Sequence, residues 1–131
     1  LYYVAVTDNI QVEVRSFWLE EKSSPEDNLF FWIYIVRIKN LGKETIQLLR
    51  RYWKIVDSDG SVKEVRGNGV VGEQPHILPG EAFKYTSGTP LNKPSGIMSG
   101  TYSMLYNNGK TIEVIIPSFS LDSPYQNTTM N

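Results

Sequence analysis

Arg66-Gly67-Asn68-Gly69-Val70-Val71-Gly72-Glu73-Gln74-Pro75 spells a GxGxxG pattern, and whether a helix follows it decides the fold. A dinucleotide-binding loop needs a strand before it, a helix whose first amides face pyrophosphate, and an acidic ribose anchor about 20 residues on. Pro75 and the Pro79-Gly80 pair follow too closely for even the ~10 residues of a short helix. The stretch therefore reads as a connection between strands.

Working outward, Ile10, Val12, Val14, Ser16 and Trp18 alternate with Gln11, Glu13 and Arg15, which predicts a half-buried strand. The run 22–28 is polar, contains Pro25 and predicts an exposed loop. Residues 29–39 are β-branched or aromatic on both faces, with charge only at Arg37 and Lys39, so a central strand is expected. Asn40-Leu41-Gly42-Lys43 offers turn chemistry before a strand over 45–56, and the two strands read as a hairpin.

Asp57-Ser58-Asp59-Gly60 then turns the chain into the alternating residues 61–66, and Phe83 and Tyr85 alternate with Lys84 and Thr86 after Pro79-Gly80. Asn107-Asn108-Gly109 joins 97–106 to 110–116, its Asn-Gly step supplying the positive φ angles of a tight hairpin. Pro117 is expected to end pairing, with Phe119 and Leu121 docked on the sheets. No window carries a helical period. About seven to eight short strands separated by turn signals predict an all-β sandwich of antiparallel sheets. It forms a single domain over 1–131, with its core at about 8–121 and a loosely held tail at 122–131.

Composition narrows the function classes. At 131 residues the chain is long enough for one core and too short to expect two. A net charge of -1 gives nucleic acid or anionic lipid no bulk attraction, and no apolar run is long enough for a membrane helix. The opening Leu1-Tyr2-Tyr3-Val4-Ala5-Val6-Thr7 lacks a basic flank and does not read as a signal peptide, so a cytoplasmic location is expected. Zero cysteines remove disulfides, thiolate nucleophiles and zinc–thiolate sites.

Catalytic and metal chemistry find few footholds. His76 is the single imidazole, beside Pro75 in an expected loop, so no oriented nucleophile–base pair is assigned. Asp57-Ser58-Asp59-Gly60 resembles the front of a calcium loop, lacks its third ligand, and reads as a turn. Glu20-Glu21 and Glu26-Asp27 read as solvated charge, and no catalytic residue, metal ligand or cofactor is assigned. The candidate set is an anion loop: Gly67, Gly69 and Gly72, with Arg51 and Arg66 beside it and Lys63 as a further cation. Strand alternation puts Arg51 and Trp53 on one face and Arg50, Tyr52 and Lys54 on the other, so one arginine of the pair must lie against buried aromatic surface.

The ordered run Leu49, Arg51-Tyr52-Trp53, Gly60, Gly67-Asn68-Gly69-Val70-Val71-Gly72, Gln74-Pro75, Pro79-Gly80, Phe83, Tyr85-Thr86-Ser87-Gly88, Gly96, Met98, Gly100-Thr101-Tyr102, Met104, Gly109 and Ile116-Pro117-Ser118-Phe119 closely resembles the ApaG family over 10–121. The resemblance implies an immunoglobulin- or fibronectin type III-like β-sandwich. It also implies a genetic link to a diadenosine tetraphosphatase and, under the name CorD, to cobalt tolerance and magnesium efflux. Related domains in eukaryotic F-box proteins and a polymerase-delta-interacting protein imply protein recognition. One histidine and no cysteine make direct cobalt binding chemically weak, which favours a partner-mediated route.

Two functional expectations follow. The first is a non-enzymatic interaction module that offers a sheet edge or loop surface to a protein partner or to a second copy of itself as a homodimer. The second is a small-molecule module that binds pyrophosphate or a dinucleotide on the glycine loop, helped by Arg51, Arg66 or Lys63.

Overall fold

Alternation is strictest in residues Phe30–Asn40, where every second side chain from Phe30 onward is buried and those between are half-buried. That strand is central, as its two-faced apolar content predicts. The computed structural model describes residues 2–125. Nine strands are present among them: β1 (Tyr2–Thr7), β2 (Ile10–Trp18), β3 (Phe30–Asn40), β4 (Ile46–Asp57), β5 (Val62–Asn68), β6 (His76–Ile77), β7 (Ala82–Leu91), β8 (Ser95–Tyr106) and β9 (Thr111–Asp122). They form two antiparallel sheets, ordered β1-β2-β3-β7 and β5-β4-β8-β9, with β6 added beside β4. The expected β-sandwich is therefore present. Among the described residues no helix is long and apolar enough to cross a membrane.

The inner faces meet over a core of Val12, Val14, Val36 and Ile38 from one sheet and Leu48, Trp53, Met98, Met104, Val114, Ile116 and Phe119 from the other. Trp53 is its hub, with ring centroids 5.3 Å from Tyr34 and 6.0 Å from Phe119. Burying each such large side chain stabilises the fold by about 1.5–3 kcal/mol before chain entropy is offset.

Several details depart from the sequence expectation. β3 and β4 are not a hairpin, because they lie in different sheets and the segment between them crosses the sandwich. Asn40, 1% exposed, holds that crossing: Nδ2 donates to Glu44 O at 2.7 Å and Ile77 O at 2.9 Å, and Oδ1 accepts the Gly42 amide at 2.9 Å. Alternation reports which face is buried, and it carries no information about which strand lies alongside. The supposed loop 22–28 contains a 3-10 turn at Pro25–Asp27, and another at Glu20–Lys22 leads into it.

Pairing does not stop at Pro117. Gly100 pairs with Ile116 and Met98 with Phe119, so Pro117 and Ser118 together oppose Ser99 in a bulge on an edge strand. A residue lacking N–H is tolerated there. In the Asn107-Asn108-Gly109 connection only Gly109 takes a positive φ, +88°, and Tyr106 and Lys110 close a three-residue loop in place of a two-residue mirror-image turn. That tighter turn occurs at Asp8-Asn9, φ 45° and 65°, joining β2 to the unanticipated strand β1. β1 and the two-residue β6 raise the strand number above the expected seven to eight.

The expected tail is partly anchored as well. Asp122 ends β9, Ser123 is buried, and the Tyr125 ring lies 5.9 Å from Trp18. The remainder of that tail, 126–131, lies outside the described residues.

Candidate functional site

The site begins with a fault in β4. Leu48 pairs with Met104 but Arg50 pairs with Ser103, so Leu49 is an extra residue and the strand changes phase. After the bulge Arg51, Trp53 and Ile55 face the interior, while Arg50, Tyr52 and Lys54 face out, the division expected from alternation. Arg51 packs among aromatic rings without a carboxylate within ion-pairing distance among the described residues. Its Nη1 donates instead to the carbonyl oxygens of Asn68 at 3.0 Å and Gly69 at 2.9 Å.

The three glycines have three separate reasons. A Cβ at Gly67 would stand 2.7 Å from the Arg51 guanidinium carbon, so the missing side chain is what seats the arginine. Gly69 has φ +63°, and a Cβ there would press into the carbonyl oxygen of Glu73. Val71 and Gly72, φ 45° and 80°, form a two-residue turn closed by Val70 N to Glu73 O and Glu73 N to Val70 O, both 2.9 Å. Gly69 N donates to Leu49 O at 2.8 Å. Three amides that an anion nest would use are thus already bonded within the protein.

The structure brings part of the predicted set together: Arg51, Arg66 and Gly67 border one open groove of about 510 Å³ with Arg50 and Tyr52, while Gly69 and Lys63 are not among its lining. Arg66 projects from the outer face, with its guanidinium carbon 4.7 Å above the Tyr52 ring centre and Nη2 3.3 Å from Glu64 Oε2. Tyr52 donates to the same carboxylate oxygen at 2.6 Å, which raises the phenol's pKa and lowers the carboxyl's. Lys63 lines a different groove with Ile55 and Pro90. His76 is exposed on β6 rather than in a loop. In the Asp57 turn, Asp57 Oδ1 accepts the amides of Asp59 and Ser61, and sharing a proton with the Asp57 carboxyl, then hydrogen bonds donated by Ser61, hold the Asp59 carboxyl well below the usual carboxylate range.

What the fold does assemble around Arg51 is an inter-sheet cleft of about 360 Å³, with Tyr34, Tyr85 and Ser87 from one sheet, Trp53 and Asn68 from the other, and Val71 and Gly72 from the turn between β5 and β6. Beneath it the hydroxyls of Tyr85 and Tyr102 bond to each other across the sheets. Burial pushes both phenols up, and the Tyr34 phenol too, with the Arg51 charge opposing weakly in each case. Tyr34, Tyr85 and Ser87 were absent from the sequence-derived set. Their signal was strand alternation, which turns Tyr85 and Ser87 inward together.

The ApaG domain family matches residues 20–106. The chain belongs to the ApaG family. It is 54% identical to the Protein ApaG of Paramagnetospirillum magneticum over 129 residues, covering 98% of this chain and 99% of that one, and equally identical to that of Rhodospirillum centenum. Among solved structures, a Bordetella pertussis protein described as ApaA is similar at TM-score 0.85 and 44% identity, over 88% of this chain and 94% of that one. A structural-genomics target solved by X-ray is similar at TM-score 0.84 and 45% identity, over 92% of this ApaG-family chain and 91% of the target.

Proposed function

We propose that the protein is a non-enzymatic interaction module of the cytoplasm that binds another protein by adding a strand to the free edge of β1. The observation that carries this reading is a contrast among the four sheet edges. β5 carries Lys63, Glu64 and Arg66, β7 carries Lys84 and Pro90, and β9 carries Pro117. These are the charges and prolines that blunt an edge. β1 has none: its inner face packs on β9 through Tyr3 and Thr7, while Tyr2, Val4 and Val6 point outward, 59%, 47% and 55% exposed, along a strand without charge, proline or bulge.

A partner strand would gain main-chain hydrogen bonds from β1 and side-chain contact with Tyr2, Val4 and Val6. The cobalt and magnesium phenotypes tied to the family then reach this chain through its partner. Pyrophosphate or a dinucleotide on the glycine loop has weaker support, because the amides of Gly69, Val70 and Glu73 already have acceptors.

Val4→Lys tests the reading by placing a charge on that edge. Wild-type bait is expected to retain a specific protein from cell extract that the Val4→Lys bait loses, with both baits unfolding at the same denaturant midpoint. Identical retention by the two baits sinks the proposal. Sedimentation equilibrium of each protein separates pairing with a second copy from recognition of a different chain.

A further inference from the structure

Arg51 is half used. Its Nη1 is held by two carbonyl oxygens, while Nε and Nη2 make no hydrogen bond among the described residues. Arg51 is half-buried beside Trp53 and Tyr34, and a cation partly withdrawn from water is stabilised by an anionic partner. Here the internal acceptors are neutral carbonyl groups, and the positive charge stays uncompensated at the wall of a cleft.

The cleft's composition limits what compensates it. Of its lining residues only Arg51 is charged; Tyr34, Ser87 and Asn68 add polar groups, Trp53 and Val70 are buried behind them, and Val71 is the exposed apolar side chain. Arg50 and Arg66 project from the outer face of β4 and β5 and line a neighbouring groove that Arg51 and Gly67 also border, so within the inter-sheet cleft itself Arg51 stands as the one cation. Pyrophosphate would bring two or more negative charges to one positive charge, on a loop whose amides at Gly69, Val70 and Glu73 already donate within the protein. A carboxylate brings one charge and a planar pair of oxygens that suits the remaining donors of a guanidinium.

We propose that this cleft binds a carboxylate on a short apolar stem, with Arg51 as the anion anchor and the exposed Val71 side chain at the rim receiving the stem. Gly67 contributes by leaving the space in which the guanidinium lies flat. The glycine motif thus serves the site through the arginine it seats. The carboxylate has two sources, an acidic residue of a peptide or a free small acid. The site lies apart from the β1 edge, and either assignment stands without the other.

The test uses 3-phenylpropionate, 3-phenylpropionamide, inorganic pyrophosphate and an end-blocked hexapeptide with one glutamate, each titrated into the protein while amide and arginine side-chain resonances are followed. Phenylpropionate is expected to shift Asn68, Val71, Gly72 and the Arg51 Nε–H saturably below ~5 mM, while its amide leaves them in place. Arg51→Lys keeps the charge but loses the fork, and is expected to weaken binding about tenfold. Tighter binding of the peptide than of the free acid identifies a protein source, and the reverse order a metabolite.

Equal response to acid and amide, no saturable shift with any carboxylate, or tighter binding of pyrophosphate each overturns the assignment. The acid–amide pair is measured on wild-type protein, so the result does not depend on how well an Arg51 variant folds.

Discussion

The two long sides of the sandwich are closed in different ways. On one side β1 and β2 run against β9, and the join is made near the surface: Tyr3 packs on Phe119 at 6.1 Å, its hydroxyl meets Ser120 Oγ at 3.3 Å, and Thr7 Oγ1 accepts the Ile115 amide at 3.1 Å. On the other side β7 and the β5 end stand apart around the Arg51 cleft, and the sheets are bridged in the interior by the Tyr85–Tyr102 hydroxyl pair. A join exposed to water exchanges one set of hydrogen bonds for another and is worth little. A buried polar bridge is worth more because its alternative is an unsatisfied group. The open side should therefore respond to small chemical changes that the closed side ignores.

The largest expected effect is alkaline. Burial raises the folded-state pKa of Tyr85 and Tyr102 above the ordinary 10.0. The stability they contribute is intact below pH 10 and is lost as pH rises, since only the unfolded chain releases these protons readily. Each phenol that stays protonated in the fold while the unfolded chain ionises removes up to about 1.4 kcal/mol per pH unit above ~10. Urea midpoints measured from pH 9 upward should show this slope, and the Tyr85→Phe/Tyr102→Phe double variant should lose most of it, keeping the part due to the Tyr34 phenol. An unchanged slope in that variant would place the alkaline sensitivity elsewhere.

Next come the glycines of the cleft rim. Gly69→Ala meets both a positive φ and the Glu73 carbonyl, and is expected to lower stability by about 3 kcal/mol. Gly72→Ala keeps the positive φ with open space around it and should lower stability by about 1 kcal/mol. Equal losses in chemical denaturation would show that turn strain alone, without close approach, governs the loop.

The smallest pair compares the two sides directly. Tyr102→Phe strands the buried Tyr85 hydroxyl and is expected to remove about 1–3 kcal/mol, whereas Tyr3→Phe on the closed side should remove about 0.5 kcal/mol at most. A Tyr3→Phe loss matching that of Tyr102→Phe would erase the distinction between the sides.

Much of this geography was legible before the fold. Alternation alone put Arg51 with Trp53 and Arg50 with Tyr52, and it marked 29–39 as central, because both are statements about one strand and its own faces. The same reasoning failed where a second strand was involved. β3 and β4 looked like a hairpin since Asn40-Leu41-Gly42-Lys43 has the right residues for a turn, yet the Asn40 side chain uses those groups to carry the chain between sheets. Pro117 looked like a terminator because the bulge that admits it exists only once β8 and β9 are aligned.

The glycine motif divides in the same way. Its lack of a following helix, and hence its place between strands, was written in Pro75 and Pro79-Gly80. That Gly67 is small for the sake of Arg51, sixteen positions away, was not. By itself the sequence determined seven of the nine strands found among the described residues, their buried faces and the family, since a two-residue period and a motif are properties of neighbouring residues. Only the tertiary structure decided which edge is left bare and which arginine lines a cleft, because both depend on contacts between segments far apart in the chain.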